Sequence, residues 1–143
     1  MPYNNFDNIG SMVSVASGTQ IAAGGTFSAP VQDLSPFEGV AIVMLSVNSA
    51  GTGTLAPVVQ EGTASVSAWS TVGTNMMFTT DGSATPSTFA NIVAGSPAVQ
   101  IRAVALDKVN QFMRFTMTGT DSSYRISVTM FLKKKYANAG VLS

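Results

Sequence analysis

The chain predicts an all-β fold, a single two-sheet β-sandwich of jelly-roll or Greek-key type, on three observations. No window of about 11 residues joins strong helix formers to apolar residues at a 3.6-residue spacing. β-Branched and aromatic runs recur instead, bounded by turn-forming clusters such as NSAGTG at 48–53, TDGSATPS at 80–87 and GTDSS at 119–123. Near the C-terminus, apolar residues recur with period two, which is the signature of a strand with one buried face.

Taken in order, the expected strands are 11–16, 19–23, 26–34, 39–48, 54–61, 64–70, 75–80, 98–106, 110–118 and 124–133. The first three are short runs separated by Gly and Ser. GVAIVMLSVN at 39–48 is apolar on both faces, as befits a central strand covered on each side, by the opposing sheet and by a neighbouring subunit. Pro57 cannot donate a ladder hydrogen bond, which places 54–61 at an edge or a bulge. The segment 80–97 is poor in charge and rich in Ser, Thr, Ala and Pro, so it is expected to be an ordered surface loop with a strand-like piece near Phe89 to Val93. In the last pair, Met113, Phe115 and Met117 alternate with Arg114, Thr116 and Thr118, and Tyr124, Ile126, Val128, Met130 and Leu132 alternate with Arg125, Ser127, Thr129, Phe131 and Lys133. Across a short turn this predicts an antiparallel hairpin whose outward face carries Phe112, Arg114, Arg125, Phe131 and Lys133. Residues 1–10 are expected to be an N-terminal arm or extension, 11–136 the sandwich and 137–143 a C-terminal tail.

Composition narrows the function. Of 143 residues, 45% are apolar and only 10% charged, so 17 Ser and 15 Thr must supply much of a neutral polar exterior. Such a surface suits an assembly protein. Net charge is zero, yet residues 1–101 hold Asp7, Asp33, Glu38, Glu61 and Asp81 with no base, whereas 102–143 hold all seven bases against Asp107 and Asp121. The polarisation reads either as internal complementarity or as a basic docking face. With no Cys there is no disulfide framework or thiolate chemistry, and with no His the usual general base and commonest metal ligand are missing. The N-terminus does not read as a secretory signal, and no run approaches the roughly 18 apolar residues of a membrane span. A soluble protein with no membrane partner is therefore expected.

The remaining chemistry is sparse. Glu38 and Glu61 could formally pair as in a glycosidase, but solvated strand ends account for them better. The loops around Asp81 and Asp121 each offer one carboxylate to a cation, too few for a calcium site. No enzyme, cofactor or metal is expected. Trp69 could be a platform for stacking a sugar, although a lone Trp in an alternating β-segment is more often a core or interface residue. Arg102, Lys108, Arg114, Arg125 and Lys133–Lys135 could converge on nucleic acid, but zero net charge argues against it, since such domains are usually strongly basic.

SAWSTVGT at 67–74, and the stretch QIRAVALDKVNQFMRFTMTGTDSSYRISVTMFLKKKY at 100–136, together resemble small decoration (cement) or auxiliary head proteins of tailed bacteriophages. The pattern is carried by Arg102, Val104, Leu106, Asp107, Lys108, Phe112 and Arg114, the turn at Gly119 and Thr120, and the closing Lys134, Lys135 and Tyr136. Residues 1–38 show no match to it. The resemblance implies a non-enzymatic virion protein, made in the host cytoplasm, that binds the major capsid protein on the outside of an icosahedral shell, commonly as a trimer. A shell-docking surface is then expected from Phe112, Arg114, Arg125, Phe131, Lys133, Lys134, Lys135 and Tyr136, and an oligomer interface from Val40, Ile42, Met44 and Trp69. Two other classes stay open: a single jelly-roll coat protein, and a receptor- or carbohydrate-binding tip domain with Trp69 at its site.

Overall fold

The computed structural model describes residues 11–22, 24–49, 53–66, 68–93, 98–119 and 124–135. The expected arm at 1–10, the tail at 137–143 and Tyr136 lie outside the described residues. Eleven strands run in chain order: β1 (Ser11–Ile21), β2 (Thr26–Ser28), β3 (Gln32–Asp33), β4 (Phe37–Ser49), β5 (Thr54–Gly62), β6 (Trp69–Thr71), β7 (Met77–Thr79), β8 (Ile92–Val93), β9 (Ala98–Ala105), β10 (Phe112–Gly119) and β11 (Tyr124–Lys134). They form a five-stranded sheet, β1-β11-β4-β9-β7, and a six-stranded sheet built on β2-β10-β5-β6, with β3 also on β10 and β8 also on β5.

The winding follows from how the chain pairs with itself. β1 pairs with β11, β2 and β3 with β10, β4 with β9, and β5 with β8, all antiparallel. One long double ribbon, rolled so that successive pairs fall on alternate sheets, is a jelly roll. The predicted fold class is the observed one.

The predicted hairpin is not. β10 belongs to the six-stranded sheet and β11 to the five-stranded one, where β11 lies between β1 and β4. Alternation reports that a strand has one buried face, but says nothing about which strand lies beside it. Both inner faces meet across the core instead: Met113, Phe115 and Met117 on one side, and Tyr124, Ile126, Val128, Met130 and Leu132 on the other, each at most 2% exposed. The chain crosses between sheets after Gly119, on which Tyr124 packs so closely that a Cβ there would lie 2.9 Å from the ring.

β4 is the central strand of its sheet, as expected. Ala41, Val43, Leu45 and Val47 point inward and are essentially unexposed, and fully burying a Val or Leu of this kind contributes about 1.5–3 kcal/mol. Pro57 sits at a locally open edge: β5 pairs with β8 at 54–55 and with β6 at 60–62, so its second side has no strand opposite Pro57 among the described residues. The two segments expected at 11–16 and 19–23 are one strand, β1, whose register slips between Ser14 and Ala16 and again before Thr19. Bulges absorb the Ser17-Gly18 step that reads as a turn. The strand expected at 64–70 shrinks to β6, because 63–66 bend away before Trp69.

The 80–97 loop is ordered over its described part. Asp81 accepts hydrogen bonds from the Thr79 hydroxyl at 2.8 Å and from the Ser83 amide and hydroxyl at 3.1 and 2.5 Å. These donors, the Ser83 hydroxyl first, hold its carboxyl below the usual carboxylate range. Gln100 clamps Ala90 through both backbone groups, at 2.8 and 3.0 Å. Phe89 thereby enters the core, edge-on to Phe115 with ring centroids 5.3 Å apart.

Candidate interaction surfaces

Each sheet has an outer face, and the two faces divide the residues singled out from the sequence. On the five-stranded sheet, Phe131, Ile42, Ala103 and Phe78 stand in one cross-strand row over β11, β4, β9 and β7. The next rows are Thr129, Met44 and Ile101, then Ser127, Ser46 and Val99. Val40, opposite Ala105, adds a further apolar residue. Val40, Val99, Ile101 and Phe131 are 48%, 63%, 37% and 41% exposed, so an apolar strip lies open over the middle of the sheet. Isolated exposed apolar residues need no explanation, but a contiguous strip marks an interface. Lys133 closes one end of it with an ion pair to Glu38 at 3.5 Å, half-exposed and worth at most about 1 kcal/mol. Exposed Arg125 stands at the other end, opposite Asn48.

The six-stranded sheet has a different outer face. Gly62 lies between Trp69 on β6 and Phe112 on β10, and Gln60 lies beside Arg114. A Cβ at residue 62 would come within 3.2 Å of the Trp69 ring, so glycine is what lets the indole lie over β5. Arg114 covers that indole, its guanidinium carbon 4.3 Å from the ring centroid, and donates Nε–H to the Gln60 carboxamide at 2.8 Å. Ala68, just before Trp69, has φ +60°, a conformation costing an L residue roughly 1–2 kcal/mol. Around this cluster lie Val58, Thr71, Thr116 and Thr118.

The expected docking set is therefore not one surface. Phe112 and Arg114 face away from Arg125, Phe131 and Lys133, because the sandwich separates β10 from β11. The expected oligomer set divides too: Val40, Ile42 and Met44 share the face of Phe131, whereas Trp69 belongs with Arg114. Exposed Lys134 and Lys135 stand at the end of the sandwich, where the Lys135 amide donates to the Pro36 carbonyl at 2.9 Å. Lys135 there rims a depression of about 270 Å³ lined by Leu34, Phe37, Leu106, Val109 and Gln111.

Other candidates acquire structural roles. Glu61, 7% exposed, accepts the Asn110 amide at 2.7 Å on the inner side of β5, while Glu38 is on the other sheet. Arg102 donates to the Thr88 carbonyl at 3.0 Å and lies over Phe89, and the Lys108 ammonium lies over Phe78 at 5.8 Å. The basic residues accordingly do not gather into one patch. Oδ1 of Asp81 accepts the hydroxyl and amide donors of its own loop, and no group of three carboxylates stands together among the described residues. Asp121 lies outside them. The residue pairing that the sequence does not signal is Trp69 with Arg114, which are distant in the chain and meet only through the register of β6, β5 and β10.

No protein-family model matches the chain, and no curated protein matches it in sequence. Its fold is similar to that of PBSX exported protein XepA, at 15% identity and a TM-score of 0.56 over 88% of this chain and 38% of that one. It is similar also to the VP2 subviral particle of infectious bursal disease virus, at 10% identity and a TM-score of 0.56 over 93% of this chain and 34% of that one. A CBM22-1 xylan-binding domain from Paenibacillus barcinonensis matches more distantly, at 10% identity and a TM-score of 0.47 over 90% and 98%. The chain thus spans little more than a third of the first two structures, and what it shares with them is the two-sheet antiparallel sandwich.

Proposed function

We propose that this is a virion structural protein, a decoration or cement protein that adheres to the outside of an icosahedral phage head and stabilises it without catalysis. The observation that carries the reading is the pair of opposed outer faces, each with its own exposed apolar or aromatic cluster. One sandwich presents an open apolar strip on its five-stranded sheet and an aromatic–arginine cluster on its six-stranded sheet, both set among neutral hydroxyls. A molecule that adheres through two opposite sides can bridge two neighbours, which is what clamping a shell requires. Trp, Arg and Phe are the residue types that most often anchor interfaces, so the shell-facing side is assigned to Trp69, Phe112 and Arg114. The jelly roll shared with a VP2 subviral particle and with XepA is consistent with virion use, and supports it only at the level of fold.

The reading is tested by sedimenting the full chain with empty heads of its virus. Wild type should co-sediment, and Arg114→Ala with Trp69→Ala should bind at least about tenfold more weakly at unchanged circular dichroism. Absence of the wild type from the pellet, or unchanged binding by the double variant, would overturn it.

The same jelly roll supports a second reading, a coat protein built from one sandwich, which predicts closed shells from the purified chain alone. A sugar-binding role for Trp69 is less well supported, because Arg114 already occupies the ring face that a sugar would stack on.

A further inference from the structure

We infer that the outer face of the five-stranded sheet is covered by a second copy of this chain, packed sheet on sheet about a twofold axis running along β4. The side chains of the two strands that flank β4 fit such a pairing. β11 presents Phe131, Thr129 and Ser127 outward, and β9 presents Ala103, Ile101 and Val99 in the same rows. A twofold along β4 lays β11 of one copy over β9 of the other. Phe131 then meets the partner's Ala103, Thr129 the partner's Ile101, and Ser127 the partner's Val99. In each row a larger side chain faces a smaller one, and Ile42 and Met44 meet their own counterparts at the axis. That is the self-complementarity an isologous contact requires.

Charge agrees with the same axis. Lys133 stands across Glu38 from the turn after β9, where the Leu106 amide donates to the Gly39 carbonyl. The rotation brings Lys133 toward the partner's Asp107, while Lys108 of that turn is held over Phe78. The strip between Lys133 and Arg125 carries no charge, and at its end Glu38, which the axis brings toward its own counterpart, is offset by its ion pair with Lys133. Size suffices as well. Four strands about 4.8 Å apart, over eight residues rising about 3.3 Å each, give a face of about 19 by 26 Å, to which the three residues of β7 add about 50 Å². Counted on both copies, that is about 1,100 Å², just above the roughly 1,000 Å² a specific interface should bury.

The result is a pair, in place of the trimer that the resemblance to decoration proteins implies. It leaves the Trp69–Arg114 face outward on both sides, free for another partner. Because it concerns the protein in solution, its failure would leave the proposed attachment to a shell untouched.

Sedimentation equilibrium of the full chain tests it. Wild type should have twice the 14.8 kDa mass of one chain. Phe131→Ala and Ala103→Phe should each weaken the pair at least about tenfold, the first by removing the bulk and the second by filling the gap. The combined variant should recover the pair, since bulk again faces a gap across the axis. Within one chain Ile42 separates the two positions, so recovery can arise only between copies. Thermal melts report whether each variant is folded. A mass of one or three chains, single variants as tightly paired as wild type, or a combined variant no better than either would overturn the inference.

Discussion

Replacing Tyr124 by Phe is expected to stabilise the protein, although it deletes a polar group and adds no contact. The ring is fully buried where the chain crosses from β10 to β11, and its hydroxyl has no hydrogen-bond partner among the described residues. A buried hydroxyl left unpaired costs about 1–3 kcal/mol. Phe keeps the ring, and with it the packing on Gly119 and the nearby Ile21. Allowing for relaxation around the site, the expected gain is about 1 kcal/mol, or about 3–4 °C in Tm for a chain of this size. Urea denaturation and a thermal melt followed by circular dichroism would measure it. The companion substitution Gly119→Ala acts on the same contact with opposite sign. Its Cβ would lie 2.9 Å from Cδ2 and Cε2 of a ring with no room to retreat, and overpacking of this kind costs about 1–3 kcal/mol. If Tyr124→Phe instead lowers stability by about 1 kcal/mol or more, the hydroxyl has a partner and the reasoning about this corner is wrong.

Two further outcomes follow from the same structure. Phe115→Ala should destabilise by about 3–5 kcal/mol, because the side chain is 1% exposed and Phe89 loses its edge-on partner; a denaturation midpoint within error of wild type would contradict the assigned core. Asp81 titrates lower in the folded chain than in the unfolded one, so its contribution is fully present above the unfolded value near 3.9 and lost as pH falls through the lower folded value. The stability gap between wild type and Asp81→Asn should therefore close on acidification below about pH 4, and a gap independent of pH would show that the loop does not depend on the charge.

How much was legible in the sequence depended on which physical signal each feature has. Period-two alternation is set by one strand and its own burial, so the inner faces of β10 and β11 could be read residue by residue, and β4 could be recognised as central from its second apolar face. Partner choice is set by distant segments. Consecutive alternating strands read as a hairpin, whereas the core is closed by placing them on opposite sheets. The same gap reaches the site: alternation puts Phe112, Arg114, Phe131 and Lys133 outside the core, but it cannot assign them to two different surfaces. The same limit hid the Trp69–Arg114 stack, which exists only because Gly62 lies between β6 and β10 in register. In β1, Ser17-Gly18 has the composition of a turn, yet the long ladder with β11 continues past it through bulges. Local turn preference yields there to the pairing of an entire strand.

If this sandwich stabilises a shell by adhering to it, the temperature at which empty heads rupture, read with and without saturating protein, must depend on it. Rupture temperature should rise with wild type, and Arg114→Ala combined with Trp69→Ala should abolish the rise. An unchanged rupture temperature with wild type bound to the heads would contradict it.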